Sequence, residues 1–335
     1  TNPSGMWNTE RGFVPVGNDS TNFTGTFDGQ GYVISDLYIN RPESDYIGLF
    51  GYTSLASIMN VGIENSNVTG KNNVGGLVGY NSNSPITNSY ATGSVTGTNG
   101  YIGGLLGSNL DSSITDSGAT GIVSGAYTLG GLVGYNSNSL ITNSYATGSV
   151  TGTGNNVGGL VGYNFDSFIT DSYTTGSVSG TDHVGGLVGR TEGSSSSITN
   201  SYATGSVTGT NGYIGGLVGG NYYSPITNSY ATGSVSGAYT LGGLVGYNHG
   251  SSITDSYATG SVTGTGNNVG GLVGLNASSS TITNSYAAGS VSGGSSVGGL
   301  VGNNSDSSIT DSYWDKTINS DPAMDNGYGI GKTTA

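Results

Sequence analysis

Three short stretches of the sequence each place two carboxylates five residues apart. Such a pair could bind a cation or hydrolyse a glycosidic bond. They read DSSITD, DSFITD and DSSITD, and their aspartates are Asp111 and Asp116, Asp166 and Asp171, and Asp306 and Asp311. Ca²⁺ accepts carboxylates together with backbone carbonyls, and hydrolytic carboxylate pairs stand roughly 5 to 9.5 Å apart. We favour a capped turn at the first aspartate of each pair and a solvent-exposed ladder at the second. Calcium is thus the one candidate metal, and no other metal or cofactor is expected.

Catalysis is not expected from the other reactive residues. A polysaccharide lyase or hydrolase needs a localised cluster of acids with a base or a cation. His183 and His249 lie more than two repeat units apart, and Arg190 is the only lysine or arginine between Lys71 and Lys316, so we expect no unique constellation. Phosphate-binding and dinucleotide-binding loops need a glycine turn that opens a helix, and the recurring GGLVG opens none. The sequence predicts that the protein is not an enzyme.

The composition excludes several classes of partner. Only 7% of the residues are charged and the formal net charge is −13, so no basic surface exists to neutralise the phosphates of nucleic acid or of an anionic membrane. There are no cysteines to form disulfides or thiolate metal sites. No apolar run reaches the roughly 18 to 20 residues of a membrane span. The first residues, TNPSGMWNTE, lack the features of a signal peptide, and we expect a mature or trimmed chain.

Tyrosine and threonine recur at regular intervals and form the candidate interaction columns. The tyrosine column contains Tyr90, Tyr145, Tyr173, Tyr202, Tyr230, Tyr257, Tyr286 and Tyr313 and is interrupted only by Gly118. The first threonine column has no gap and contains Thr87, Thr115, Thr142, Thr170, Thr199, Thr227, Thr254, Thr283 and Thr310. A second threonine column contains Thr92, Thr120, Thr147, Thr175, Thr204, Thr232 and Thr259 and ends at Ala288.

Each column allows two interpretations. The tyrosines are either half-buried or stacked inside the fold, or they form an exposed aromatic stripe that contacts another chain or a sugar polymer. The threonines either suit strands because they are β-branched, which we favour, or form the regular ranks that ice-binding solenoids use. Aligning IMNVGI at 58–63 with ITNSYA at 86–91 predicts that Asn88 and Tyr90 point outward. After the first threonine, asparagine and aspartate alternate without two successive aspartates, which favours a stacked ladder over a site.

The columns arise because the chain repeats with a period of 27 to 30 residues. The leucines of the G-L-x-G phrase lie at Leu49, Leu77, Leu105, Leu132, Leu160, Leu187, Leu217, Leu244, Leu272 and Leu300. Such a period indicates a solenoid, a propeller or an array. Each unit contains short β-prone runs without helical periodicity, and it is shorter than a propeller blade of about 40 residues. We therefore predict an all-β, single-domain parallel β-helix, or β-solenoid, of about ten rungs of 27–30 residues.

In such a β-helix, certain apolar residues of each rung should stack on their counterparts in the core. The candidates in one rung are Val74, Leu77 or Val78, Ile86 and Val95. Residues that make some rungs longer should lie in loops. The candidates are the segment where some rungs read TGTNGY and others the shorter SGAYT, and the RTEGSSSS insertion.

The chain divides into an N-terminal entry or capping segment at 1–46, the solenoid repeats at 47–311 and a C-terminal exit segment at 312–335. Within the repeats, YATGSVTGTNGYIGGL at 90–105 recurs at 202–217, and SYATGSVTGTGNNVGGLVG at 144–162 recurs at 256–274. Both offsets are 112 residues, so four rungs form a duplicated block.

G-G-L-V-G followed by I-T-[ND]-S-Y-A-T-G-x-V resembles the GLUG-motif repeats of large secreted and cell-surface proteins of bacteria and archaea. FTGTFDGQGYVISDLYI at 23–39 is similar to the usual entry of those arrays, and SYWDKTINS at 312–320 is similar to their usual exit. The resemblance implies a parallel β-helix, an extracellular location at the cell surface, and no catalytic residues.

Our leading hypothesis is a non-enzymatic, extracellular structural or adhesive protein that forms or decorates a cell-surface layer, sheath or fibre by self-association. Its partner would be a second copy or another cell-surface component. The alternatives are an ice-binding (antifreeze) protein with a threonine-ranked face, and a carbohydrate-binding surface adhesin that uses the tyrosine column.

Overall fold

Successive copies of the repeat lie side by side along one axis. Leu77 N donates to Leu105 O at 3.0 Å, and Leu105 N donates to Leu132 O at 3.0 Å, so each leucine lies one strand from its counterpart. The computed structural model describes residues 7–8 and 10–333. In this part of the chain, one of the sheets has ten strands, one from each coil. The predicted all-β parallel β-helix of about ten rungs is confirmed.

Four sheets run along the rod in the described residues, and each complete rung contributes to them in the same order. Sheet 1 consists of Phe50–Ser54, Val78–Ser82, Leu106–Leu110, Val133–Ser137, Val161–Phe165, Val188–Glu192, Val218–Tyr222, Val245–His249, Val273–Ala277 and Val301–Ser305. Sheet 2 consists of Thr26–Asp28, Ser57–Met59, Ile86–Thr87, Ser113–Thr115, Leu140–Thr142, Phe168–Thr170, Ser197–Thr199, Ile226–Thr227, Ser252–Thr254, Thr281–Thr283 and Ser308–Thr310.

Sheet 3 receives two short strands from most rungs, or one long strand where the two are continuous. It consists of Trp7–Asn8, Gly12–Phe13, Val33–Ser35, Tyr38–Asn40, Gly62–Gly70, Tyr90–Gly97, Gly118–Ala119, Ile122–Gly125, Tyr145–Ala146, Val150–Gly152, Tyr173–Thr174, Val178–Gly180, Tyr202–Ala203, Val207–Gly209, Tyr230–Ala231, Val235–Gly237, Tyr257–Ala258, Val262–Gly264, Tyr286–Ala287, Val291–Ser292, Tyr313–Asp315 and Ile330–Lys332. Sheet 4 consists of Tyr101–Gly103, Thr128–Gly130, Asn156–Gly158, Val184–Gly185, Tyr213–Gly215, Thr240–Gly242, Asn267–Gly270 and Ser295–Gly298. Pairing is parallel, except that Gly12–Phe13 runs antiparallel to Trp7–Asn8 and Tyr38–Asn40.

The core contains the predicted aliphatic columns. Val74, Leu77, Val78 and Ile86 are fully buried, and Val95 is 3% exposed, so both members of the Leu-Val pair are buried. The side chains stack on their counterparts because neighbouring strands pair in register. Full burial of one such side chain stabilises the fold by about 1.5 to 3 kcal/mol before the loss of conformational entropy is subtracted.

Asparagine and serine also stack inside the rod, which the sequence pattern did not predict. The fully buried Asn81 donates from Nδ2 to Asn109 Oδ1 at 2.8 Å and to Ser84 O at 2.7 Å. Asn109 Nδ2 donates in turn to Asn136 Oδ1 at 2.9 Å. A serine column runs beside the asparagines, and in it Ser84 N donates to Ser112 Oγ at 2.8 Å. Because buried polar groups are costly only when they lack partners, these ladders fix the register of the rungs at little cost.

The corner between sheets 2 and 3 uses residues that tolerate a left-handed backbone. Asn88 and Asp116 have φ values of 48° and 50°, a region that asparagine and aspartate enter more easily than other non-glycine residues. Backbone conformation therefore explains why this column alternates between only two residue types. The predicted ladder is also present, because Asn88 Nδ2 donates to Asn60 Oδ1 at 2.8 Å and Asn200 Nδ2 donates to Asp171 Oδ1 at 3.1 Å.

The extra residues of the longer rungs lie in loops, as predicted. Three residues, 98–100, connect sheet 3 to sheet 4 in one rung, whereas two residues, 126–127, make the same connection in the next rung. Four residues, 193–196, join sheet 1 to sheet 2 in the rung of Arg190, whereas 166–167 suffice in the rung before it. Elsewhere the backbones approach closely, and a Cβ on Gly148 would overlap the carbonyl oxygen of Gly121.

Both ends of the repeat array continue into further β-structure. Thr26–Asp28 extends sheet 2, and Val33–Ser35 and Tyr38–Asn40 extend sheet 3. At the other end, Trp314 takes the column position of Ala287, is 4% exposed and lies over Gly299. Residues 1–6, 9 and 334–335 of the proposed entry and exit segments lie outside the described residues, and the boundaries at 46 and 311 remain a prediction.

Candidate interaction faces

The outer face of sheet 3 carries four columns that consist mainly of hydroxyl side chains. In the strand Tyr90–Gly97, Ala91 and Val95 are buried. Alternate residues of a strand face opposite sides of the sheet, so the remaining side chains turn outward. In this rung they are Tyr90, Thr92, Ser94 and Thr96.

Six successive tyrosines of the predicted column stack on one another along this face. They are Tyr145, Tyr173, Tyr202, Tyr230, Tyr257 and Tyr286. Neighbouring ring centroids are 4.8 to 5.6 Å apart, and the ring planes lie within 15° of parallel. Burial, with a smaller contribution from the neighbouring tyrosines, raises the pKa of Tyr230. The column is thus an outward stripe in which the ring faces cover one another and the edges and hydroxyls face solvent.

Gly118 separates Tyr90 from this stack. Gly118 pairs with Tyr90 on one side and with Tyr145 on the other, and a Cβ on it would overlap the Tyr145 ring. The hydroxyl of Tyr90 donates to Glu64 Oε1 at 2.7 Å. This hydrogen bond, followed by burial, raises the pKa of Tyr90.

The second threonine column belongs to the same face as the tyrosines. Thr204 and Thr232 are exposed there. In the outermost column of the face, Thr208 Oγ1 and Ser236 Oγ lie 3.1 Å apart, so hydroxyls also contact one another between rungs. The face is uncharged in these four columns from Tyr90 to the last repeats.

The first threonine column lies on a different face, the outside of sheet 2. Thr87 and Thr115 pair in register and are exposed or half-buried. The next outer column, two residues earlier in each strand, varies in size and polarity and reads Pro85, Ser113, Leu140, Phe168 and Ser197. The two threonine columns therefore do not form one rank, and the surface beside the first is uneven.

The paired aspartates flank sheet 2 rather than face each other across a cleft. Asp111 and Asp116 occupy the corners before and after Ser113–Thr115, with φ values of 49° and 50°. A strand of this length spans about 10 Å. The other two pairs occupy equivalent corners. Within residues 7–8 and 10–333, no group of three or more histidine or acidic side chains is arranged to hold a metal ion, and calcium binding stays a prediction.

A charged and aromatic cluster, the Arg190 cluster, lies on the outer face of sheet 1. Arg190 Nη2 donates to Glu192 Oε2 at 2.7 Å, and the guanidinium lies 5.5 Å from the ring centroid of Tyr163 and 4.7 Å from that of Tyr222. The Tyr163 hydroxyl donates to Glu192 Oε2 at 2.8 Å. Burial and then this hydrogen bond raise the pKa of Tyr163.

Both histidines belong to the Arg190 cluster. His183 Nε2 lies 3.0 Å from the Tyr222 hydroxyl, and the His249 ring centroid lies 5.9 Å from that of Tyr222. The expectation of no unique constellation is therefore wrong. The histidines occupy different positions within their rungs. Because the chain coils, both lie next to Tyr222 despite their separation in sequence. The signal that could have revealed the cluster is the coincidence of the RTEGSSSS insertion with the only arginine of the repeats.

Among the residues that the structure describes, helices of the length and apolarity needed to cross a membrane are absent.

Comparison with known proteins agrees with the repeat architecture. The model of the GLUG motif matches residues 70–96, 98–124, 125–151, 153–179, 180–208, 210–236, 237–263, 265–292 and 293–318. Halomucin from Haloquadratum walsbyi is 45% identical over 73 residues, which are 21% of this chain and 1% of halomucin. A putative Gly-rich membrane protein from Evansella cellulosilytica is 45% identical over 40 residues, 12% of this chain and 5% of that protein. The matches thus span a small part of each relative.

Proposed function

Because the chain belongs to the GLUG motif family, we propose that it is a non-enzymatic, extracellular structural or adhesive protein that associates side by side through sheet 3. Such association would form or decorate a surface layer, sheath or fibre. The names of the relatives, halomucin and a putative Gly-rich membrane protein, favour a cell-surface location.

The observation that carries this proposal is the regular outer face of sheet 3. From Tyr90 to Tyr313 the tyrosine column covers eight rung steps, or about 38 Å at the strand spacing of about 4.8 Å. From Tyr90 to Thr96 the strand extends about 20 Å. The resulting area of about 750 Å² approaches the roughly 800 Å² that each partner buries in a standard protein interface.

Charge also favours this face for self-association. The protein has a formal net charge of −13, so two copies repel each other wherever their acidic residues meet. The outer columns of sheet 3 are uncharged over the repeats and consist mainly of tyrosine, threonine and serine, with Gly118, Ile122 and Ala288 as the exceptions. Two copies that meet at this face therefore bring few acidic residues together. Tyrosine is also enriched in protein interfaces.

Charge insertion tests the proposal. Thr204→Lys with Thr232→Lys places two cations in the middle of the sheet 3 face, and Thr199→Lys with Thr227→Lys adds the same charge to sheet 2. We expect the unmodified chain to form lateral assemblies in electron microscopy and sedimentation, the sheet 3 variant to stay monomeric, and the sheet 2 variant to assemble. Monodisperse monomers of the unmodified chain across concentration and salt, or equal assembly by both variants, would contradict the proposal.

Ice binding is a second candidate function for the same face. It is favoured by the regular ranks of threonine and serine on sheet 3, whereas the threonine column on sheet 2 has an uneven neighbour. Thermal hysteresis that the sheet 3 variant abolishes and the sheet 2 variant preserves would support it. If the unmodified chain showed no thermal hysteresis, ice binding would be contradicted.

Carbohydrate binding by the tyrosine column remains a prediction that the stacking does not favour. A sugar stacks on an exposed ring face, and here the ring faces cover one another.

A further inference from the structure

A groove follows the corner between sheets 1 and 2 along the first half of the rod. Its volume is about 790 Å³. Apolar side chains from several rungs line it: Leu55, Pro85, Leu140 and Phe168. Leu55 is 74% exposed, Phe168 46% and Leu140 39%. These side chains point away from the core and offer apolar surface that the rod itself does not cover.

Polar side chains stand beside the apolar ones at the same corner. Asn83, Asp111, Asn138 and Asp166 have φ values of 44° to 49°, and all of them line the groove. Amides and carboxylates therefore alternate from rung to rung. The lining contains two carboxylates and no lysine, arginine or histidine.

We propose that this groove binds a linear oligosaccharide, either neutral or bearing free amino groups, that lies along the rod axis. Sugars present C–H faces that pack on aromatic and proline side chains and hydroxyls that bond to amides and carboxylates. Successive rungs place the corner amides and carboxylates at intervals of about 4.8 Å, which suits a polymer of small, similar units. A peptide that adds a strand needs the edge of a sheet, whereas this groove crosses the strands.

Charge decides which sugars fit. Asp111 and Asp166 lie in the groove of a protein with a net charge of −13, so a uronate or sulfated chain meets repulsion and an amino sugar meets attraction. The proposal does not depend on assembly through sheet 3, because the groove and that face lie on different sides of sheet 2.

The duplicated block provides a natural comparison. In the second copy, Ser252 takes the place of Leu140, and Thr281 takes the place of Phe168. The second half of the rod thus has small polar side chains at the positions of Leu140 and Phe168, and Tyr223 in place of the Asp111 carboxylate, so it should not bind the same ligand.

Calorimetric titration of the full chain with three hexasaccharides tests the proposal: a glucosamine hexamer, a cellulose hexamer and a galacturonate hexamer. We expect saturable binding of the first two and none of the third. Phe168→Ala, an outward-facing change that leaves the core intact, should weaken both by about three- to tenfold. Asp111→Asn combined with Asp166→Asn should abolish the preference for the amino sugar and keep binding of the cellulose hexamer. The control variant, Thr281→Ala, should bind as the unmodified chain does.

Three results would overturn the inference: no saturable binding of any hexamer at millimolar concentration, equal binding of the galacturonate hexamer, or affinities that Phe168→Ala leaves unchanged. The variant with Thr204→Lys and Thr232→Lys should retain binding. Loss of assembly and loss of sugar binding are therefore distinguishable.

Discussion

Asn164 Nδ2 donates to Thr191 Oγ1 at 3.4 Å, and this contact interrupts the buried asparagine column of sheet 1. In neighbouring rungs an amide donates to the next amide at 2.8 or 2.9 Å. One rung further along, the buried Asn221 Oδ1 has no hydrogen-bond partner. The rung that carries the insertion is therefore the weak point of the ladder.

Replacing Thr191 by asparagine should repair the ladder. The new amide would accept from Asn164 and donate to Asn221 Oδ1, and a hydrogen bond that satisfies a buried group contributes about 1 kcal/mol. We expect the free energy of unfolding in urea to rise by about that amount for Thr191→Asn. The reverse change in an intact region, Asn248→Thr, should lower it by about 1 to 3 kcal/mol. A Thr191→Asn variant no more stable than the parent would contradict this account.

The corner residue Asn143 should be replaceable by glycine and not by a β-branched residue. Asn143 is exposed and has a φ of 49°, and for most residues this conformation costs about 1 to 2 kcal/mol. We expect the free energy of unfolding of Asn143→Gly to lie within about 0.5 kcal/mol of that of the parent, and that of Asn143→Val to be lower by at least about 1 kcal/mol. Urea denaturation measures both, and equal stabilities would show that the left-handed corner does not select the residue.

Replacing Gly118 by tyrosine should complete the tyrosine column. Gly118 has no positive φ, so a side chain is compatible with its backbone, and the Tyr145 ring needs only to take the position that its counterparts adopt in other rungs. Stacked aromatic pairs contribute about 0.5 to 1.5 kcal/mol beyond burial. We expect Gly118→Tyr to be more stable than Gly118→Ala by this amount, with stronger near-ultraviolet circular dichroism. Destabilisation by Gly118→Tyr relative to Gly118→Ala would show that the gap is required.

Alkaline pH should weaken the outer face of sheet 1. Burial, and then the neighbouring Tyr52, raise the pKa of Tyr80 to about 12, whereas an unfolded tyrosine ionises near pH 10. The unfolded chain therefore loses this proton first, and the contribution of Tyr80 to stability is complete below about pH 10 and is lost as pH rises towards about 12. We expect the free energy of unfolding to fall less steeply over this range in Tyr80→Phe than in the parent. Identical slopes would exclude a contribution from Tyr80.

The period, the β-solenoid and the aliphatic core follow from the sequence alone, because residues such as Leu77 and Ile86 recur at every turn and can be buried only by stacking on their counterparts. The sequence also placed Tyr90 and Asn88 on the outside. Only the tertiary structure showed that Asn81 lies inside, because polarity alone does not tell which amide finds a partner in the next rung.

The tertiary structure also separated the two threonine columns onto different faces and joined His183 and His249 to one tyrosine. These relationships depend on where each corner turns the chain, and a corner is set by a few φ angles such as that of Asn88. A regular period fixes which residues stack along the axis. The angles between the sheets decide which columns share a face.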